Sequence, residues 1–112
     1  MSEQVFSIAE RFGKYAGPRF KKQGAHSGEA LRGVLVKFLE ANAGVVTIVL
    51  DGTRGMGSSF LDEAFGGLVR TEGKSRNDLM RRLRFQSRID PSYIETIIDS
   101  IERAVPEGQL VH

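Results

Sequence analysis

The chain has 112 residues, no cysteine, and a formal net charge of +2 from 16 Lys and Arg against 14 Asp and Glu. That length suits one small domain with a real hydrophobic core, and the absent thiols exclude a disulfide scaffold, a cysteine-based zinc or iron–sulfur site and a thiol nucleophile. With no tryptophan and two tyrosines an aromatic cage is not expected. No apolar run approaches the ~18 residues of a membrane span, so a soluble, cytoplasmic domain is expected.

Residues 4–12 place Val5 and Ser7 on one side and Phe6 and Ile8 on the other, which predicts a short strand. Gly13, Gly17, Pro18 and Gly24 punctuate the segment that follows, and Arg19-Phe20-Lys21 within it reads as a return strand closing a hairpin. Ser27 opens a helix whose Leu31, Val34, Leu35, Phe38 and Leu39 form one apolar stripe, ended at Asn42-Ala43-Gly44. The run from Val45 to Leu50 is apolar on both faces, as a central parallel strand covered by helices requires. After a glycine-rich loop, Ser59 followed by Asp62 has the spacing of a helix cap, with Phe60, Leu61, Ala64, Phe65, Leu68 and Val69 on the buried face. Gly66 and Gly67 inside that helix imply close approach to a neighbour. Leu83 to Ser87 reads as an edge strand. Asp90-Pro91 then starts a last helix striped by Tyr93, Ile94, Ile97, Ile98, Ile101 and Val105. The order predicts an α/β domain over residues 1–112, a mixed sheet covered by three to four helices.

The loop from Asp51 to Ser59 leaves the central strand where α/β folds gather ligands and partners. It carries no Lys-Ser or Lys-Thr after its glycines and lacks the third glycine of a dinucleotide fingerprint, so no nucleotide site, cofactor or small-molecule substrate is expected. His26, Ser27 and Glu29 are close in sequence, but consecutive neighbours rarely converge as a triad. Ser27 reads instead as a cap and Glu29 as a first-turn partner of the helix dipole. His112 is terminal, and the one usable histidine leaves no metal site expected. Between residues 70 and 88, Arg70, Lys74, Arg76, Arg81, Arg82, Arg84 and Arg88 face only Glu72 and Asp78, whereas residues 95–107 are acidic. This basic run predicts either a solvated face or a nucleic-acid contact through Arg81, Arg82 and Arg84. It matches no nucleic-acid motif and has no interleaved aromatic beyond Phe85.

The stretches Gly24-Ala25-His26-Ser27-Gly28-Glu29 and Ser58-Ser59-Phe60-Leu61-Asp62-Glu63-Ala64-Phe65-Gly66-Gly67-Leu68 resemble a STAS-like bacterial domain of unknown function, related in fold to the STAS anti-sigma-factor antagonists. In the antagonists a strand leads into Asp-Ser-Ser/Thr-Gly, and a partner kinase phosphorylates the first serine. The resemblance implies a non-catalytic regulatory module in signalling, with Ser58 as phosphoacceptor and Ser59 beside it. Gly57 stands where that family has Asp, and Phe60 where it has Gly. It also implies a protein partner of the histidine-kinase-type ATPase class, met by Arg54, Met56, Ser58, Asp62 and Glu63. Asp62 and Glu63 would oppose a phosphate there by like-charge repulsion. Nucleic-acid binding through the basic run is the alternative.

Overall fold

The computed structural model describes residues 4–107, so His112 lies outside it. Strand β1 (Gln4–Ser7) gives way at once to a single turn α1 (Ile8–Arg11), because the Ser7 side chain accepts the Glu10 N–H and caps it. Phe6 and Ile8 are both buried, as their alternation predicted, although only Phe6 is in the strand.

No return strand follows. The Pro18 and Arg19 carbonyls accept the Gly28 and Glu29 N–H groups at 2.9 Å each, so this segment satisfies the start of the next helix instead of pairing with β1. A short 3₁₀ turn occupies Lys21–Gln23. Helix α2 (Gly28–Ala41) begins at Ser27, whose Oγ accepts the Ala30 N–H at 3.0 Å. Leu31, Leu35 and Leu39 line its buried face, while Val34 is exposed.

Strand β2 (Val46–Val49) pairs in parallel with β1 on one side and with β3 (Leu83–Gln86) on the other. Phe6, Ile48 and Phe85 lie in register across the sheet. The described sheet is therefore parallel throughout, not mixed, since the hairpin that would have supplied an antiparallel pair does not form. Val46 and Ile48 are fully buried, whereas Thr47 and Val49 are half-buried, so one face of the central strand is covered more completely than the other.

The second helix is one continuous run in three parts: α3 (Ser58–Leu61), a π turn over Asp62–Gly66, and α4 (Gly67–Arg70). The Gly67 N–H reaches back five residues to the Asp62 carbonyl. The π turn packs between α2 and the last helix, α6 (Ser92–Arg103). Close approach is the reason for the glycines. A Cβ at Gly67 would meet the Arg32 guanidinium at 2.7 Å, one at Gly66 the Ser100 carbonyl at 3.1 Å, and one at Gly28 would overlap the Phe60 carbonyl.

Helix α5 (Arg76–Arg82) precedes β3. Helix α6 starts one residue after Pro91, and the Asp90 carboxylate accepts the Ser92 N–H at 3.1 Å. Ile97 and Ile101 are its fully buried residues, packed with Phe60, Phe65 and Leu68 in the core. Among the described residues no helix is long and apolar enough to cross a membrane.

Candidate functional site

Segment 51–57 climbs from the end of β2 to the start of α3. Gly52 and Gly55 take positive φ values of 93° and 67°, conformations that a side chain would strain. Gly57 is extended, with φ −76° and ψ 163°, and is the residue that caps α3. Ser59 therefore sits inside the first turn, with no side-chain capping bond, and the expected Ser59 cap is corrected. An N-cap needs an extended backbone so that its side chain can curl onto the amides ahead. A residue already in the helix lacks that geometry.

Ser58 and Ser59 are both exposed, and neither hydroxyl bonds any described residue. They stand on a rigid base, because Phe60 and Leu61 immediately after them are buried. With Arg19, Asp62, Thr96, Asp99, Ser100 and Arg103 they line a groove of about 380 Å³ between the start of α3 and α6. Arg103 Nε is 3.1 Å from Asp99, an exposed pair one helical turn apart.

Behind the serines lies an ionic cluster with buried Glu63 and Arg32 at its centre and partly exposed groups around them. Glu63 is 6% exposed. One carboxylate oxygen meets Arg32, and the other lies 3.1 Å from Arg19 and 3.5 Å from Arg70. Asp62 takes Arg19 at 2.9 Å and Arg70 at 3.4 Å, and Arg32 Nε meets Glu72 at 3.0 Å. The hydrogen bond to Asp62 holds the Arg19 guanidinium above its ordinary pKa, against desolvation that opposes it, and the bond to Glu63 adds to the rise. Three guanidinium groups thus face three carboxylates, so Asp62 and Glu63 do not present the unbalanced negative field expected from the sequence.

Of the five residues expected to face a partner, the structure exposes Arg54 and Ser58 and leaves Asp62 partly exposed. Met56, at 5% exposure, belongs to the core, and Glu63 belongs to the ionic cluster, so neither is on the surface.

The basic run is dispersed by the fold. Arg82 donates to the carbonyls of Leu39, Asn42 and Gly44, closing the C-terminal end of α2. Arg84 donates to the Arg81 and Leu83 carbonyls, and Arg81 pairs with Asp78 at 2.8 Å. Arg76 donates to the Ile101 and Ala104 carbonyls, Arg70 is in the ionic cluster, and Lys74 lies 3.4 Å from Glu40. His26 is exposed and packs edge-to-face on Phe12, while Ser27 caps α2 and Glu29 accepts the Lys21 N–H. These three neighbours do not converge.

Arg19, Arg32 and Arg103 were not singled out from the sequence. One signal was available for Arg32: it follows Gly28 by four residues, on the same helical face, amid buried leucines. Arg19 and Arg103 carry no comparable local mark.

Comparison with curated proteins and with solved structures gave no match. A family model described as STAS-like domain of unknown function (DUF4325) matches residues 27–92. The match runs from the Ser27 cap to the first residue of α6, and so takes in the two serines and the acidic half of the ionic cluster. The chain belongs to this family of STAS-like domains.

Proposed function

We propose that this chain is a non-catalytic regulatory module that binds another protein through segment 54–62, with Ser58 or Ser59 as the phosphoacceptor and a histidine-kinase-type ATPase as the partner. The observation that carries this reading is the pair of exposed serine hydroxyls, without a hydrogen bond to any described residue, at the start of a helix anchored in the core. A kinase needs such a hydroxyl within reach, and a fixed backbone presents it in one orientation. A phosphate there gains about 0.3–1 kcal/mol from the helix start at an exposed site. The opposing carboxylates of Asp62 and Glu63 are already matched by Arg19, Arg32 and Arg70. Addition of a phosphate changes the surface charge by about −2, enough to alter complementarity with a partner without rearranging the core.

The partner is sought by pull-down from native lysate, purified, and incubated with the chain and ATP. Mass spectrometry should place phosphate on Ser58 or Ser59, with none on the double alanine variant. Ser58→Asp should weaken binding of the same partner. A partner that binds Ser58→Asp as it binds the wild type, and that transfers no phosphate, refutes the switch.

A further inference from the structure

Three loops meet at the C-terminal ends of the parallel strands, and segment 51–57 ties the other two together. The Asp51 carboxylate accepts the Arg88 N–H at 2.8 Å and the Ile89 N–H at 3.1 Å, which fixes the turn after β3. Further along, the Arg54 N–H donates to the Lys14 carbonyl at 2.7 Å, and the Ala16 N–H donates to the Arg54 carbonyl at 3.3 Å. Tyr15 is thereby paired with Arg54 in a parallel bridge. Tyr15 and Ile89, 68% and 84% exposed, are the two most exposed large hydrophobic side chains among the described residues. Hydrogen bonds to one short segment hold the loops that carry them.

The charges of the rim that these loops form are open. Lys14, Arg54 and Arg88 are exposed, and their side chains make no hydrogen bond or ion pair with a described residue. The carboxylates nearby are turned onto backbone amides: Asp51 onto Arg88 and Ile89, Asp90 onto Ser92. The basic run of residues 70–88 differs here, since its arginines before Arg88 are held by carbonyls and acids.

We propose that this rim docks an acidic polypeptide segment bearing an apolar or aromatic side chain. Its carboxylates would meet Lys14, Arg54 and Arg88, and its apolar side chain would pack on Tyr15 and Ile89. Tyrosine and arginine around an apolar anchor are the composition of protein-binding hot spots, and opposite charge speeds and orients the encounter. Nucleic acid fits less well. Base stacking needs successive aromatic faces, and this rim offers Tyr15 with an isoleucine. The proposal rests on reading the chain as a protein-interaction module, but not on phosphorylation. It also gives that switch a sign: Ser58 follows segment 51–57 directly, so negative charge there should repel an acidic partner.

The isotopically labelled chain is titrated by NMR with a glutamate-rich peptide carrying one leucine and one phenylalanine. Controls are the same peptide with lysine for glutamate and a mixed-sequence single-stranded oligonucleotide. The glutamate peptide should shift resonances of residues 13–16, 51–57 and 87–90, with affinity falling as salt rises. Ile89→Asp, and Arg54→Glu combined with Arg88→Glu, should each weaken it by about tenfold, with thermal melts confirming the fold. Shifts confined to other residues, an affinity unchanged in the rim variants, or tighter binding of the oligonucleotide at the rim would overturn the proposal. Ser58→Asp separates the two readings. If it binds the peptide as wild type while the rim variants do not, the rim stands and the Ser58 switch fails.

Discussion

Two sets of cations in this small domain have opposite fates. Three of those crowded between residues 70 and 82 are held by the fold: Arg70 in the ionic cluster, Arg76 on the end of α6, Arg82 on the end of α2. Those scattered at Lys14, Arg54 and Arg88 are brought to one rim by three loops and have no described partner. Contiguity in sequence made the first set look like a patch. A helix end offers unpaired carbonyls, however, and an arginine next to it satisfies several at once. Internal acceptors, helix-end carbonyls for Arg76 and Arg82 and carboxylates for Arg70, decide more than density of charge whether a cation is available to a partner.

The comparison breaks most readily at Glu63, the acid that the held arginines surround. Glu63→Ala leaves the buried Arg32 with Glu72 as its remaining carboxylate, and should destabilise the domain by about 2–3 kcal/mol in urea denaturation. Arg82→Ala removes bonds to three carbonyls at the end of α2 and should cost about 1.5–3 kcal/mol. Its sequence neighbour is the control. Arg81 makes an exposed pair with Asp78 inside one short helix, so Arg81→Ala should cost only about 0.2–0.5 kcal/mol. Equal losses for these adjacent arginines would show that the carbonyl contacts of Arg82 do not stabilise the fold. At the rim, Arg54→Glu with Arg88→Glu should leave stability within about 0.5 kcal/mol, since no described contact is lost. A larger loss would mean that these side chains, too, are held.

Where one interaction decides the structure locally, the sequence is readable. The apolar run around β2 and the stripes of α2 and α6 announce their elements because burial along a single element dictates the pattern. The Ser27 cap and the close packing at Gly66 and Gly67 were legible for the same reason. Elements decided by distant partners were not. Arg19-Phe20-Lys21 looks like a short alternating strand, but the Pro18 and Arg19 carbonyls are drawn to the start of α2, and the Arg19 side chain to acids more than 40 residues away. The ionic cluster is likewise assembled from a loop, α2, the π turn and α4, and no spacing in the sequence encodes it. Helix α5 is the exception that was available. Ser75 and Asp78 have the same spacing as Ser59 and Asp62, and the Ser75 Oγ does accept the Asp78 N–H, at 3.2 Å.

That pair of identical spacings supplies the prediction with the clearest reading. Ser27, Ser59 and Ser75 stand at or beside helix starts, as Ser7 does at α1. Ser27 and Ser75 are extended, with ψ of 165° and 129°, and each accepts the N–H three residues ahead. Ser59 follows a cap already provided by Gly57, and its hydroxyl has no partner among the described residues. Alanine at Ser27 or Ser75 should therefore lower stability by about 1 kcal/mol, the ordinary value of a lost cap. Alanine at Ser59 or Ser58 should change it by less than about 0.5 kcal/mol, as for a surface position without contacts. Thermal denaturation of the four variants under one condition suffices. If Ser59→Ala falls with the two cap variants, its hydroxyl is holding the helix and is not free to be presented to a kinase. If it melts with the wild type, the Ser59 hydroxyl carries no structural duty and is free to meet a partner at the surface.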